Sequence, residues 1–152
     1  MSATARLAEL GIELPPVARP AGAYLPAVRT GSLVYTAGQV PIGPDGQVSL
    51  TGKVGAEVSV DDARAAARTC ALQALAAVDG LVGLDAVVRV VKVVGFVASA
   101  PGFSGQPQVV NGASELFGEV FGQAGQHARS AVGVAELPSG VPVEVELIVE
   151  VR

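Results

Sequence analysis

The chain has 152 residues, the length of one domain with one hydrophobic core. Apolar residues make up 50% of the sequence and charged residues only 16%, which excludes intrinsic disorder over most of the chain. The net charge is -4 and no run of basic residues is present, so nucleic acid is not an expected partner. One cysteine and one histidine exclude an internal disulfide and a zinc site built from Cys and His clusters.

The N-terminal segment does not look like a secretory leader, because residues 1–13 lack a basic start followed by an apolar core. The longest uncharged stretch, residues 93–114, holds two prolines and four glycines and does not suit a membrane span. We therefore expect a soluble, cytoplasmic protein. No internal repeat or low-complexity linker divides the chain, so residues 1–152 are predicted to form a single domain with residues 1–16 as an N-terminal extension.

The first part of the chain is predicted to form a short helix and a β-hairpin. Residues 3–10 favour a helix, which a Pro-Pro pair stops because proline withholds an N–H group. Two apolar runs, 24–30 and 33–37, are separated by a Gly-Ser pair, which is the spacing of a hairpin. The segment Gly43-Pro44-Asp45-Gly46 is typical of a turn.

A long helix is predicted to begin after Ser59, a good N-cap that is followed by two aspartates in the first turn. Its apolar face is rich in alanine, which predicts close packing on a sheet. We expect the helix to run to about Val78 and to be ended by Asp79-Gly80.

The second half alternates strands with one more helix. Residues 87–98 form a valine-rich strand that is too apolar to be half exposed, so we expect both of its faces to be covered. A loop over residues 99–107 leads to a helix over 108–121 with a buried apolar stripe. Residues 128–135 and 142–151 alternate as two further strands.

This order of elements indicates an α+β domain, in which a mixed sheet is covered on one side by two helices. The second face of such a sheet then needs a cover from elsewhere. The last strand places valines and Leu147 on one face and three glutamates with Ile148 on the other.

The strand over 128–135 carries the candidate binding group. Alternation places Arg129 on one face together with Ala131, Gly133 and Ala135, all of which are small. A guanidinium followed along its own face by small residues predicts open volume for an anionic ligand. The alternative is that the small residues admit a neighbouring backbone.

Other chemistry-bearing residues receive structural interpretations. Cys70 lies among alanines on the apolar face of the long helix and is interpreted as a packed small hydrophobe. His127 precedes the arginine strand and is interpreted as solvated or hydrogen-bonded. Arg89 and Lys92 are expected on opposite faces of their strand, where one of them could pair with the acidic face of the last strand.

Several segments taken together resemble the RidA (YjgF) family, over nearly the whole chain from about Arg19 to Val151. The segments that carry this resemblance are Gly22-Ala23-Tyr24, Thr36-Ala37-Gly38-Gln39-Val40-Pro41, Asn111 in VVNGASELF, and the stretch from Arg129-Ser130 through Leu137-Pro138 to Val143-Glu144-Val145-Glu146. The resemblance implies a chorismate-mutase-like α+β fold and a homotrimer with active sites in the clefts between subunits. Two segments, 51–55 and 99–107, are each a few residues longer than in well-studied members, which marks a distinct subgroup.

The resemblance also implies roles for individual residues. Arg129 matches the arginine that holds the substrate carboxylate, and Glu144 matches the glutamate that positions the hydrolytic water. Tyr24 and Asn111 match pocket residues, Gly38 matches a glycine whose backbone lines the site, and Ala131 stands where a backbone N–H makes the contact. We expect Arg129 and Glu144 to lie on adjoining strands.

The activity that the resemblance implies is hydrolysis of 2-imino and 2-enamino acids to 2-oxo acids and ammonia. Such imines already hydrolyse in water, so a carboxylate clamp and one acid-base group suffice, and no metal or cofactor is expected. Two alternatives stay open: a non-catalytic protein that binds 2-oxo acids on the same fold, and a ribonuclease, an activity credited to some members. The acidic composition argues against the ribonuclease.

Overall fold

The computed structural model describes residues 1–152 and contains three α-helices and five β-strands in the predicted order. Their bounds are α1 Ala3–Glu9, β1 Ala27–Thr30, β2 Leu33–Thr36, α2 Val60–Val82, β3 Val87–Ala98, α3 Gln106–Phe121, β4 Ala128–Val134 and β5 Val143–Val151. The predicted first strand is too long at its start, because Pro26 has no N–H to donate and pairing begins only at Ala27.

The five strands form one mixed sheet in the order β1-β2-β5-β3-β4. All neighbours are antiparallel except β3 and β4, which α3 connects as a parallel pair. Strand β4 therefore forms one edge of the sheet. The α+β class and the mixed sheet with helices on one side are confirmed.

The two faces of the sheet have opposite surroundings. On the helix-covered face, the inward residues of β5 are almost completely buried under α2: Val143, Val145, Leu147, Val149 and Val151. The opposite face, here called the open face, carries Glu144, Glu146, Ile148 and Glu150 of the same strand. Tyr35 and Val132 lie on it with 39% and 43% of their surface exposed. On β3 the open-face residues Lys92, Val94 and Phe96 are only half-buried, so the prediction that β3 is covered on both faces is wrong within one chain.

Helix α2 begins as predicted, with the Ser59 hydroxyl accepting the N–H of Asp62 at 3.1 Å. Its alanines pack on the sheet and on α3, where the missing side chain of Gly112 lets the carbonyl of Arg64 approach. By length and composition α2 could cross a membrane, but 56% of that stretch is buried inside the protein, as in a core helix of a soluble protein.

The predicted end of α2 at Asp79-Gly80 is wrong, because the helix continues through Gly80 to Val82. Glycine suits position 80 because a Cβ there would lie only 3.0 Å from the side chain of Val17 in the N-terminal segment, closer than side chains normally pack. The helix stops at Gly83, whose φ of 79° suits a residue without Cβ. The Asp79 side chain accepts the N–H of Leu84 at 2.8 Å, which fixes the turn that follows the helix.

A register shift in β3 overturns the prediction that Arg89 and Lys92 point to opposite faces. Arg89 lies opposite Glu150 and Lys92 opposite Ile148, with the irregularity between Val90 and Lys92. An extra residue in one strand of a pair reverses the alternation beyond it. Both cations thus lie on the open face, and Lys92 Nζ donates to Ser130 Oγ at 3.2 Å.

The two segments that the resemblance predicts to be longer than usual, 51–55 and 99–107, lie side by side. Val54 donates to the carbonyl of Ala98 at 2.8 Å, and its own carbonyl accepts the N–H of Ala100 at 2.9 Å. Phe103 packs over Gly55, where a Cβ would come within 3.1 Å of its ring. Segments 51–55 and 99–107 therefore stabilise each other beyond the end of β3.

Candidate active site

Strand β4 presents Arg129 to helix α3. Arg129 is the register partner of Val93, a buried residue on the helix-covered face. Its Nη1 donates to Asn111 Oδ1 at 2.8 Å and to Ser114 Oγ at 3.1 Å. Asn111 and Ser114 are three residues apart on α3 and therefore share one helix face. This spacing is the signal by which the sequence could have identified Ser114, which we did not predict.

The charge of Arg129 has no acidic partner in the chain. The four ion pairs of the protein use Arg6, Lys53, Arg64 and Arg68 instead. Both hydrogens of Nη1 are engaged, whereas Nη2 makes one long contact of 3.4 Å to the Pro107 carbonyl and the chain supplies no acceptor for Nε. The Nε–Nη2 edge is one of the two edges of a guanidinium that can bind a carboxylate through two parallel hydrogen bonds.

The predicted open volume along this face is not present at Gly133. A Cβ there would lie 2.8 Å from Gln106 Nε2 and 3.1 Å from Ser99 Oγ. Gln106 is itself held by hydrogen bonds to Ser99 Oγ and to the Phe103 carbonyl. The absence of a side chain at Gly133 therefore makes room for Gln106 and Ser99 of the same chain. This resembles the alternative interpretation, in which the small residues admit a neighbouring backbone.

The backbone N–H of Ala131 points to the free edge of the sheet. Ser99 donates to the Val134 carbonyl at 3.1 Å, so Val134 bonds towards β3. Residues alternate along an edge strand between bonding to the neighbour and facing outward. Ala131 is an odd number of positions away from Val134 and faces outward, which makes its N–H available beside Arg129.

Glu144 lies on the open face, where its carboxylate occupies the space that a side chain on Gly38 would fill. A Cβ on Gly38 would lie 2.5 Å from Glu144 Oε1 and 2.8 Å from Glu144 Cδ. The neighbouring segment returns to the sheet at Gln39, which exchanges backbone hydrogen bonds of 2.8 and 3.0 Å with Val145. Partial burial, and to a lesser extent the charge of Glu146, raise the pKa of Glu144 above its ordinary value.

Tyr24 lies on a segment that is hydrogen-bonded to the segment of Gly38. The Ala37 N–H donates to the Pro26 carbonyl at 2.8 Å, which joins the segment that carries Tyr24 to the segment that carries Gly38. Tyr24 is 50% exposed, and its hydroxyl accepts the N–H of Ala21 at 3.2 Å. The alternative of a buried strand tyrosine is therefore excluded.

The predicted site residues thus fall into two groups within one chain. The arginine group comprises Arg129, Asn111 and Ala131. The glutamate group comprises Glu144 and Gly38, with Tyr24 on the segment that is hydrogen-bonded to the segment of Gly38. The prediction that Arg129 and Glu144 lie on adjoining strands is wrong, because β3 separates β4 from β5. The two side chains also leave opposite faces of the sheet, so one chain alone does not bring them into one cleft.

The remaining candidates behave as the sequence indicates. Cys70 is completely buried, its Sγ lies 3.7 Å from the Val143 carbonyl, and burial raises the pKa of its thiol. His127 is hydrogen-bonded at both ring nitrogens, and burial together with the charge of Arg129 lowers its pKa. No three His, Cys, Asp or Glu side chains lie close enough together to hold a metal ion.

Replacing Gly38 by alanine should affect the position of Glu144 more than the stability of the fold. The added Cβ meets the far end of a flexible carboxylate, which can move away at small cost. Gly38 is not among the glycines with positive φ, so alanine fits its backbone. We expect the melting temperature to change by no more than about 3 °C. The rate of any reaction that depends on the position of the Glu144 carboxylate should fall about tenfold or more, because the carboxylate is displaced. An unchanged rate would show that Glu144 takes no part in that reaction.

Comparison with known proteins places the chain in a family. The family model described as endoribonuclease L-PSP matches residues 16–151. Protein TCP17 of Trypanosoma cruzi is 47% identical over 150 residues, which cover 97% of this chain and 93% of that protein. A 2-iminobutanoate/2-iminopropanoate deaminase of Dermatophagoides farinae is 32% identical over 141 residues, covering 93% and 95%. The crystal structure of Atu1372 from Agrobacterium tumefaciens superposes with a TM-score of 0.88 at 43% identity, covering 99% of this chain and 92% of that chain. The chain therefore belongs to the endoribonuclease L-PSP family, which is the YjgF/RidA family.

Proposed function

We propose that this protein hydrolyses 2-imino and 2-enamino acids to 2-oxo acids and ammonia, in sites that two copies of the chain build together. The observation that carries the proposal is Arg129, a cation without an acidic partner whose Nε–Nη2 edge is presented for a carboxylate. The deaminase of Dermatophagoides farinae, a relative over nearly the whole chain, supports the choice of reaction.

Arg129 would hold the carboxylate that all these substrates share. Two parallel N–H···O bonds fix both the position and the plane of the carboxylate, and hence of the adjacent C=N carbon. The outward N–H of Ala131 would donate to the same end of the substrate. None of these groups takes part in proton transfer, so they bind and orient the substrate.

Glu144 would supply the acid-base step. With its pKa raised by burial, its carboxylate is a stronger base than that of an exposed glutamate and can take a proton from the attacking water. The protonated form would return that proton to the nitrogen, so that water has added across the C=N bond to give a 2-amino-2-hydroxy acid. Glu144 would then pass the proton of the new hydroxyl to the nitrogen as the C–N bond breaks, which releases ammonia and leaves the 2-oxo acid. A 2-enamino acid first takes a proton from solvent at C3 and so becomes the imine.

A second copy of the chain would bring the two groups together. The arginine group and the glutamate group lie on different faces of one sheet, and the open face exposes Tyr35, Val28 and Val132 by 39 to 49%. Apolar side chains in such an arrangement favour burial against another subunit. A cyclic trimer in which the edge of one sheet meets the open face of the next repeats the same contact three times and closes on itself.

The direct test follows the decay of an imine that an amino-acid oxidase generates from its amino acid, with and without the protein, in a buffer free of amines. We expect faster decay and faster release of ammonia with the protein. Binding of the 2-oxo acid without acceleration would instead favour a non-catalytic binding protein. Cleavage of RNA that persists with the main protein peak through a further chromatography step would favour the ribonuclease.

The pH dependence should report the protonation of Glu144. Because burial raises its pKa, kcat/KM should decline towards acid pH with an apparent pKa above the ordinary 4.5 of glutamate. A raised pKa in the folded state also means that the protonated side chain stabilises the fold below the unfolded pKa. This contribution is lost as pH rises through the folded pKa, so the stability advantage of Glu144→Gln over wild type should grow with pH in that window. A flat pH–rate profile from 4 to 7 would contradict the assignment.

A further inference from the structure

Ser114 and His127 form a hydrogen-bonded chain that ends on the Arg129 guanidinium. His127 Nδ1 lies 2.6 Å from the Gly125 carbonyl, and its Nε2 lies 2.9 Å from Ser114 Oγ. Ser114 Oγ in turn lies 3.1 Å from Arg129 Nη1. These hydrogen bonds thus connect three parts of the fold: the turn before β4, helix α3 and strand β4.

The direction of every bond in this chain follows from its ends. A carbonyl can only accept, so Nδ1 carries the proton and donates to Gly125. Burial keeps the ring neutral by lowering its pKa, which leaves a lone pair on Nε2 for the Ser114 hydroxyl proton. The lone pairs of Ser114 Oγ are thereby turned towards the Nη1 proton of Arg129.

His127 is rigidly placed for this task. Its ring packs edge-on against Phe117 with centroids 5.9 Å apart. Gly125 lies so close to the Phe117 carbonyl that a Cβ there would overlap it, and this holds the turn against α3.

Ser114 departs from the usual behaviour of a helical hydroxyl. Serine and threonine inside helices commonly donate back to the carbonyl four residues earlier. Thr69 of α2 does this, with Oγ1 donating to the Ala65 carbonyl at 3.3 Å. The Ser114 hydroxyl bonds to His127 instead, and its oxygen is then free to accept from Arg129.

We propose that Ser114 and His127 are positioning residues for Arg129, which orient its guanidinium so that the Nε–Nη2 edge meets the substrate carboxylate. The inference rests on the proposed function, since it gives these residues their role in that site. Asn111 holds one hydrogen of Nη1 and Ser114 the other, which together set the plane of the guanidinium. His127 acts through Ser114 and does not touch the substrate.

The test is a calorimetric titration of the assembled protein with pyruvate, the simplest 2-oxo acid, at pH 7.5. Ser114→Ala should weaken binding about three- to tenfold, the worth of one hydrogen bond. His127→Phe keeps a ring against Phe117 and removes both nitrogens, so it should weaken binding by a similar factor. His127→Gln, whose amide oxygen can accept from Ser114, should stay within about twofold of wild type. Thr69→Ala is the matched control and should bind as wild type does.

The double variant Ser114→Ala/His127→Phe distinguishes a connected chain from two independent effects. We expect it to bind no more weakly than Ser114→Ala alone, because His127 acts only through Ser114. Two outcomes would overturn the positioning role alone. In the first, the fold-losses in binding of the two single variants multiply in the double variant. In the second, both single variants bind within twofold of wild type while Arg129→Ala loses binding. Full binding by Arg129→Ala would overturn the proposed function first.

Discussion

Replacing Arg129 by alanine is expected to lower kcat/KM for 2-imino acids by about two to four orders of magnitude. Each charge-assisted hydrogen bond to the substrate carboxylate contributes roughly 1.5 to 3 kcal/mol, and the variant loses two of them. The measurement is the oxidase-coupled decay of the imine, with calorimetric binding of pyruvate as the second readout. Most of the loss should be in KM, because the carboxylate is bound in the ground state as well.

Two further variants show whether the loss comes from geometry or from charge. Arg129→Lys keeps the positive charge but cannot form two parallel bonds, so it should recover only a small part of the activity. Arg68→Ala removes another arginine, whose exposed ion pair with Glu119 of 2.7 Å is worth about 1 kcal/mol or less. It should retain full activity. Equal imine decay for wild type and Arg129→Ala would end the deaminase proposal.

Mixing two inactive variants should restore activity if each site takes Arg129 from one copy and Glu144 from the next. Glu144→Gln alone should lower kcat by about 10² to 10⁴ while pyruvate still binds, since the general base is lost and the carboxylate clamp is kept. In mixed oligomers, a site is intact when a Glu144→Gln copy supplies the arginine and an Arg129→Ala copy supplies the glutamate. Random assembly from equal amounts therefore yields about one quarter of the wild-type activity.

The control for this experiment combines Arg129→Ala with a chain that carries both substitutions. No site in that mixture contains both groups, so activity should stay at the level of the single variants. Mass spectrometry of the intact oligomers confirms that mixing has occurred and gives the number of copies. Mixed oligomers that remain inactive would show that both residues of a site come from the same copy.

The sequence predicted the framework well where local signals agree with the tertiary structure. Ser59 caps α2, and the alternation in β5 separates buried valines from half-buried glutamates. The valine-rich β3 was predicted with both of its bounds. These elements follow from capping, propensity and periodicity, which are properties of short segments.

Local signals failed where a distant segment decides the conformation. Gly80 was predicted to end α2, but the contact with Val17 makes a glycine suitable inside that helix, and Gly83 ends it instead. The register shift near Val90 places Arg89 and Lys92 on one face, although their spacing in a regular strand predicts two. Neither the packing of the N-terminal segment nor an irregularity in strand pairing can be inferred from a short window of sequence.

For the candidate site, the sequence by itself determined which groups are present: one arginine beside small residues, a glutamate on an alternating strand, and too few cysteines and histidines for zinc chemistry. Only the tertiary structure decided how they are arranged. Because β3 lies between β4 and β5, Arg129 and Glu144 are on strands that do not adjoin, and the register of the three strands places them on opposite faces. The pairing of Ser114 with His127 depends on a helix and a turn that meet only in the fold. Strand order and helix docking arise from packing between segments far apart in the chain, and that is why the composition of the site was readable from the sequence and its geometry was not.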